Sequence, residues 1–258
     1  MAVGGLKIDA RRNKILEILH RDGQVRVAQL ASMLGATTVT IRNDLDALAL
    51  EGYLERVQGG AVQTDSSYYN LEFQRRKLQN RAAKKHIAAL TAELIRDGNT
   101  IILNSGTTTY YVAVELKKRK NLQIVTNSLT IALELGSQPT FRVTLLGGDI
   151  NAQYGFTWGA DAQEQLRKYR ADYAILGMDG VCPRRGLSTY HAEEAVMDRL
   201  MMERAAETIV VANSSKLGNE GFSYVGDISG VSRLVTDGAA DRDAIADLRK
   251  QGVSVVYK

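Results

Sequence analysis

From Thr100 onward, seven short β-prone runs recur along this chain, and they constrain its fold more than any other feature. They are TIIL from Thr100, QIV from Gln123, RVTLL from Arg142, DYAIL from Asp172, TIVVA from Thr208, RLVT from Arg233 and VSVVY from Val253. Near-continuous apolar strands must be covered on both faces, and most of the intervening segments have helical spacing. The pattern predicts an α/β domain built on a doubly wound, mainly parallel sheet.

Ligands in such folds sit beyond the carboxyl ends of the strands. The residues expected there are small and polar: Asn104, Ser105, Gly106, Thr107, Thr108 and Thr109 after the first run, and Asn127 and Ser128 after the second. Gly147 and Gly148 follow the third, Asp179 lies in GMDG after the fourth, and Lys216 closes NSSK after the fifth. An Asn-Ser pair at three strand ends suggests one shared pocket, with capping of the following helix by each such residue as the alternative. SGTTT ahead of the helical segment YYVAVELKK has the composition of an anion cradle, in which glycine admits close backbone approach, hydroxyls donate and the helix start adds free N–H groups. Phosphate is the expected occupant. The spacings of a P-loop and of a dinucleotide fingerprint are absent.

Residues 1–60 read differently. Ile8, Ile15, Leu16 and Leu19 form one helical stripe ending before Gly23, and Val27, Leu30, Ala31 and Leu34 form a second, closed by Gly35. Thr37 suits the N-cap of a third helix whose buried face is Ile41, Leu45 and Leu48. Rotation by about 100° per residue then turns Val39 and Asn43 outward, with Thr40 and Arg42 on the flanks. Arginine suits guanine, asparagine suits adenine, and an apolar group suits the thymine methyl, so Thr37, Thr38, Val39, Thr40, Arg42 and Asn43 form a candidate base-reading surface. YLERVQGGAVQT reads as a hairpin wing, with Arg56 and Gln58 placed to meet the DNA backbone. A helical oligomerisation module is the alternative. The expected division is a winged helix-turn-helix over residues 1–60, a linker over 61–72 and a sensor domain over 73–258.

Composition removes other classes. At 258 residues with 45% hydrophobic and 24% charged residues, the chain is expected to form folded cores. Lys and Arg exceed Asp and Glu by four, and the excess lies within the first hundred residues, where an anionic partner is expected. No run approaches the ~20 apolar residues of a membrane span, and MAVGGLKIDARRNK has no signal-peptide core, so a cytoplasmic protein without membrane association is expected. Three histidines and one cysteine, Cys182, without paired-ligand spacing, give no metal and no cofactor. Trp158 suits either stacking on a sugar ring or packing.

The stretch TTVTIRNDLDALALEGYLERVQGGAV resembles the winged-helix reader of the DeoR family of bacterial sugar-metabolism repressors, and IILNSGTTT, IVTNSL, LLGG, GMDGV, GLSTYHAEEA and VVANSSKLG continue the resemblance in order. It implies a repressor, not an enzyme, of a carbohydrate or polyol operon. Such a protein binds double-stranded operator DNA as a dimer or tetramer and is released by a phosphorylated sugar or sugar alcohol. It also implies a sensor domain similar in fold to ribose-5-phosphate isomerase, with the phosphate over Ser105 to Thr109 and the sugar near Asp179, Glu193 and Lys216. The chain departs from the family pattern at Asn43, Asn104 and Asn213; the first should shift operator preference, and the other two remove carboxylates that isomerase chemistry would use. A sugar-phosphate isomerase-like enzyme, with Glu193, Glu194 or Asp179 as base, is the second reading.

Overall fold

The apolar stripes of the first sixty residues become three helices, α1 (Ile8–Asp22), α2 (Val27–Leu34) and α3 (Thr38–Leu50). The structure is a computed structural model that describes residues 8–50, 52–63 and 71–257. The chain divides into two compact units, residues 1–81 with 152–154 and residues 82–151 with 155–258.

In the first unit Ile15, Ile18, Leu19, Leu30, Ile41, Leu45 and Leu48 share one core. Ile8, expected on the same stripe, opens α1 two turns ahead of Ile15 and is 57% exposed. Gly35 ends α2 in the left-handed region at φ 60°, and Thr37 Oγ1 accepts from the Thr40 N–H at 3.1 Å, as an N-cap should. A strand absent from the sequence reading, β1 (Gln24–Arg26), pairs antiparallel with β3 (Gly60–Val62), which also pairs with β2 (Glu55–Val57). The wing is therefore three-stranded and runs to Val62, past the expected boundary at 60. Of the expected linker 61–72, residues 64–70 lie outside the described residues, and α4 (Leu71–Leu78) begins inside its end. Buried Asp44 on α3 accepts from Arg11 at 2.5 Å and Arg12 at 3.1 Å, both on α1.

Each of the seven β-prone runs becomes a strand of one sheet: β4 (Thr100–Leu103), β5 (Gln123–Thr126), β6 (Arg142–Leu145), β9 (Ala171–Gly177), β12 (Ala205–Val211), β14 (Arg233–Val235) and β15 (Ser254–Val256). Their order is β15-β14-β12-β9-β4-β5-β6, and every pairing is parallel. Side chains alternate across a strand, so one run serves two cores. Ile101, Leu103, Ile124, Ile175, Ile209 and Val211 pack with α5 (Arg81–Glu93), α6 (Thr107–Leu116) and α7 (Leu129–Gly136). Ile102, Val125, Ala174, Leu176 and Val210 pack with α8 (Ala160–Arg167), α9 (Ala192–Glu203) and α10 (Arg242–Lys250). A hairpin, β7 (Asp149–Asn151) with β8 (Phe156–Trp158), and a small antiparallel sheet of β10 (Gly180–Cys182), β11 (Gly186–Thr189) and β13 (Ser223–Gly226) complete the described strands.

Candidate functional site

Two surfaces carry the predicted site residues. On the first unit, Thr37, Thr38, Val39, Arg42 and Asn43 are exposed at the amino end of α3, with Val39 60% exposed, while Thr40 is half-buried with its hydroxyl 2.9 Å from that of Thr37. Ile41, Leu45 and Leu48 are wholly buried on the other side, so the helix is anchored by one face and offers the other. Gln58 is exposed in the wing turn, where Gly59 takes φ 78°. Arg56 is committed inside the unit: its Nε donates to Asp46 Oδ1 on α3 at 2.8 Å, and another guanidinium nitrogen donates to the Gly60 carbonyl. Its first role is to tie the wing to α3.

On the second unit, the carboxyl ends of β4, β5, β9 and β12 bring Asn104, Ser105, Asn127, Asp179 and Asn213 to one end of the sheet, each under 10% exposed. The two asparagines nearest the cradle position other groups. Asn104 Nδ2 donates to the Gly177 carbonyl at 3.0 Å and to Asp198 Oδ1 at 2.9 Å, while its Oδ1 accepts from the Gly177 N–H at 2.9 Å. Asn127 Oδ1 accepts from the Ser105 N–H at 3.1 Å, and its Nδ2 donates to the Thr157 carbonyl at 3.0 Å. Ser128 caps α7 by accepting from Ile131 N. Here the capping alternative holds. Gly147 donates its N–H to Gln165 Oε1 at 2.9 Å, and Gly148 sits at φ 143° with a Cβ position 2.3 Å from the Trp158 carbonyl, a place only glycine fills.

The cradle itself is the start of α6. Gly106 is its N-cap, Thr107 and Thr108 are buried in its first turn, and the leading N–H groups of a helix have no intrahelical acceptor. Thr109 Oγ1 turns back to the Gly106 carbonyl at 3.0 Å, which stiffens the turn. Beside it lies a carboxylate network. Ser105 Oγ donates to Glu194 Oε1 at 3.1 Å, and Thr189 Oγ1 lies 2.9 Å from Glu194 Oε2 and 3.2 Å from Asp179 Oδ2. Lys216 Nζ donates to Asp179 Oδ1 at 3.2 Å and stands 5.9 Å from the centroid of the Tyr190 ring. Burial raises the Asp198 pKa well above the ordinary carboxylate value; the negative charges of Glu194 and Asp179 add to the rise, and the Asn104 hydrogen bond opposes it.

From the first turn of α9 the network recruits Glu194, whereas Glu193, expected near the sugar, is half-buried one position away. Thr189 and Asp198 were not expected at all. The signal for Asp198 is an acid on the apolar stripe of α9, three residues from both Ala195 and Met201, which are buried. His191 is the N-cap residue of α9, and Trp158 packs against the core. Chemically, the arrangement offers helix-start N–H groups and a lysine for an anion beside carboxylates that accept from hydroxyl groups.

Residues 11–67 match the DeoR-like helix-turn-helix domain and residues 79–238 match the DeoR C terminal sensor domain. The chain belongs to the DeoR family. A protein of Escherichia coli O157:H7 named for transcriptional repression of the aga operon is 34% identical over 95% of this chain and 92% of its own length. The glycerol-3-phosphate regulon repressor of Escherichia coli strain K12 is 32% identical over 90% of this chain and 92% of its own. Among solved structures, ribose 5-phosphate isomerase A of Methanocaldococcus jannaschii matches 54% of this chain and 55% of its own with a TM-score of 0.41 and 18% identity. The DeoR-family pairing of domains follows the order of the two surfaces along the chain: the exposed end of α3 falls in the helix-turn-helix match, the cradle and carboxylates in the sensor match. Among the described residues, no helix is long and apolar enough to cross a membrane.

Proposed function

We propose that this chain is a transcriptional repressor of a carbohydrate or polyol utilisation operon, which binds operator DNA through the first unit and releases it when a phosphorylated sugar or sugar alcohol binds the second. The observation that carries this reading is the union, in one DeoR-family chain, of an exposed helix end bearing Arg42 and Asn43 with a buried helix start beside hydroxyl-accepting carboxylates. The reader lies within the first unit, up to residue 81, and the sensor within the second, from residue 82 onward. Thr38, Val39, Arg42 and Asn43 read base edges; Gln58 and the wing backbone follow the phosphates.

In the sensor, the effector phosphate sits on the N–H groups and hydroxyls of Thr107 and Thr108, with Lys216 as its counter-charge. Asp179 and Glu194 accept from the hydroxyls of the carbon chain. Lys216 is paired with Asp179 in the free protein, so the ligand must exchange that pair for its own. This exchange supplies the differential affinity a switch requires. One small reader offers little contact area, so a dimer or tetramer on a palindromic operator is the working species, in the cytoplasm, and the chain catalyses no reaction.

The test is operator binding measured by fluorescence anisotropy with a panel of sugar and polyol phosphates. Wild-type protein releases DNA with one of them, and the coupling is ~1 to 3 kcal/mol. Lys216→Ala and Thr107→Val bind the operator as wild type does and ignore that ligand. Release of either variant at the wild-type ligand concentration, or equal release by the unphosphorylated sugar, overturns the assignment.

A further inference from the structure

At the amino ends of the strands, opposite the cradle, the sheet holds a cavity of about 140 Å³ that the proposed function does not use. Its floor belongs to three adjacent strands. Thr100, Gln123 and Arg142 are successive register partners on β4, β5 and β6, and Val125 is the partner of Thr144 two residues along. In parallel pairing, partners share a face, so these side chains point to the side of the sheet that carries Ile102 and Val125. Further up that face, α8 covers Ile102 and Val125. The helix ends at Arg167, and Gln123 and Arg142 are exposed below it. Tyr169 and Arg170, which lead from α8 into β9, form the wall.

The charge of this cavity is one-sided. Arg142 and Arg170 both line it, and no Asp or Glu does. Neither guanidinium has an ion pair or a side-chain hydrogen bond among the described residues. Several arginines of the unit are engaged, Arg119 with the Ala92 carbonyl, Arg199 with the Val225 carbonyl, Arg204 with the Tyr169 carbonyl and Arg233 with the Glu207 carboxylate, while Arg96, Arg167, Arg184 and Arg242 share the unpaired state without lining this cavity. The nearest acid in sequence, Asp172, is occupied, accepting from the Thr100 N–H at 2.8 Å and from Asn99 Nδ2 at 3.1 Å. Two unpaired guanidiniums lining one concave floor offer planar donor forks that a shared anion can accept. The Thr144 hydroxyl and the Gln123 amide add neutral donors at the floor, while the Thr100 hydroxyl is taken up by Asp172, accepting from its N–H at 2.9 Å.

We propose that this cavity is a second anion site, which takes a small phosphate or carboxylate compound between Arg142 and Arg170 and is separate from the effector cradle at the other end of the strands. Both arginines are partly in water, so binding is weakened by salt.

Equilibrium dialysis of the full chain against labelled inorganic phosphate tests it, with Arg142→Gln/Arg170→Gln and Thr107→Val/Lys216→Ala as the two variants. Wild-type protein binds two phosphates per chain, and each double variant loses one of them, with an affinity loss of at least about tenfold at the altered site. Because Arg142 and Arg170 are exposed and unpaired, their glutamine variant keeps the wild-type melting temperature. Unchanged binding in that variant overturns the proposal. A single wild-type phosphate lost only in Thr107→Val/Lys216→Ala also overturns it and leaves the effector reading standing. A single phosphate lost only in Arg142→Gln/Arg170→Gln keeps the proposal and removes the cradle. Competition by malonate separates the two ligand sources: displacement of the second phosphate admits carboxylates, and its persistence confines the site to phosphate.

Discussion

The end of α3 and the carboxyl end of the large sheet are both sites made of polar side chains, yet they are built on opposite plans. On α3 the functional groups stand in water with few internal partners, and the buried half of the helix does the holding. At the sheet, nearly every polar group is already hydrogen-bonded to another, Ser105 to Glu194, Thr189 to Asp179, Lys216 to Asp179 and Asn104 to Asp198. A surface of the first kind can lose a side chain without disturbing the fold, because water replaces the partner. A site of the second kind cannot where both partners are buried, as Asn104 and Asp198 are, since removing one strands the other in a place water does not reach; Lys216, at the partly exposed edge of the network, is the exception.

The sharpest way to break this contrast is Asn127→Leu. It leaves the Ser105 N–H and the Thr157 carbonyl without their partners, each costing ~1 to 3 kcal/mol, so urea denaturation should show a loss of about 3 kcal/mol. A loss below 1 kcal/mol would mean the sheet-end network is as tolerant as the helix surface.

Asp198→Asn probes the same network through pH. The folded protein holds the Asp198 proton to higher pH than the unfolded chain does, so stability falls as pH rises from the ordinary carboxylate value of about 4 through the raised folded value. Asparagine still accepts from Asn104 and carries no charge. Urea midpoints followed from pH 4 to pH 8 should therefore drop less in Asp198→Asn than in wild type; equal slopes would show that Asp198 ionises normally.

On the reader the order of effects reverses, with function changing and stability constant. Arg42→Ala should remove ~1 to 3 kcal/mol of discrimination at one operator position, read by binding to single-base variants, with an unaltered melting temperature. Loss of melting temperature instead would place Arg42 in the structural half of the helix.

Smallest is Arg56→Ala. Its pair with Asp46 is partly exposed, so the reader should lose no more than ~1 kcal/mol of stability. If the guanidinium also reaches a phosphate when DNA is bound, the salt dependence of binding flattens by about one unit of slope across all sequences. An unchanged slope confines Arg56 to bracing the wing.

How far the sequence revealed all this depends on run length and on what a side chain reports about its surroundings. The seven strands of the large sheet were legible because each is an apolar stretch whose alternate residues feed two cores, as Ile101 and Ile102 do. β1, β10, β11 and β13 were not, nor was the β7–β8 hairpin. The sequences of the first four, QVR, GVC, GLST and SYVG, interrupt the apolar run with polar residues or with Gly180, Gly186 and Gly226, so they lack the apolar stretch that marks the others. Within the sheet-end site, residue types located the cradle from Ser105 to Thr109. They could not show that Asn104 and Asn127 spend their amides on Gly177, Asp198, Ser105 and Thr157, because those partners are at least 22 residues away in the chain. Glu194 and Asp198 are one helical turn apart on α9, and only the packing of that helix reveals that they face the cradle.

The wing is fixed to the helices with little play. Gly60 lies so close to β1 that an added Cβ would sit 1.9 Å from the Val25 carbonyl, the Val27 N–H donates to Gly59 O at 2.9 Å, and Arg56 spans from α3 to Gly60. A reading head of this kind behaves as a stiff stamp, with the distance from wing to α3 cast in advance. Any mismatch with an operator must then be absorbed by the duplex, through roll and twist at deformable steps such as TA and CA/TG. Operators with identical contacted bases should differ in affinity according to the flexibility of the base pairs between them.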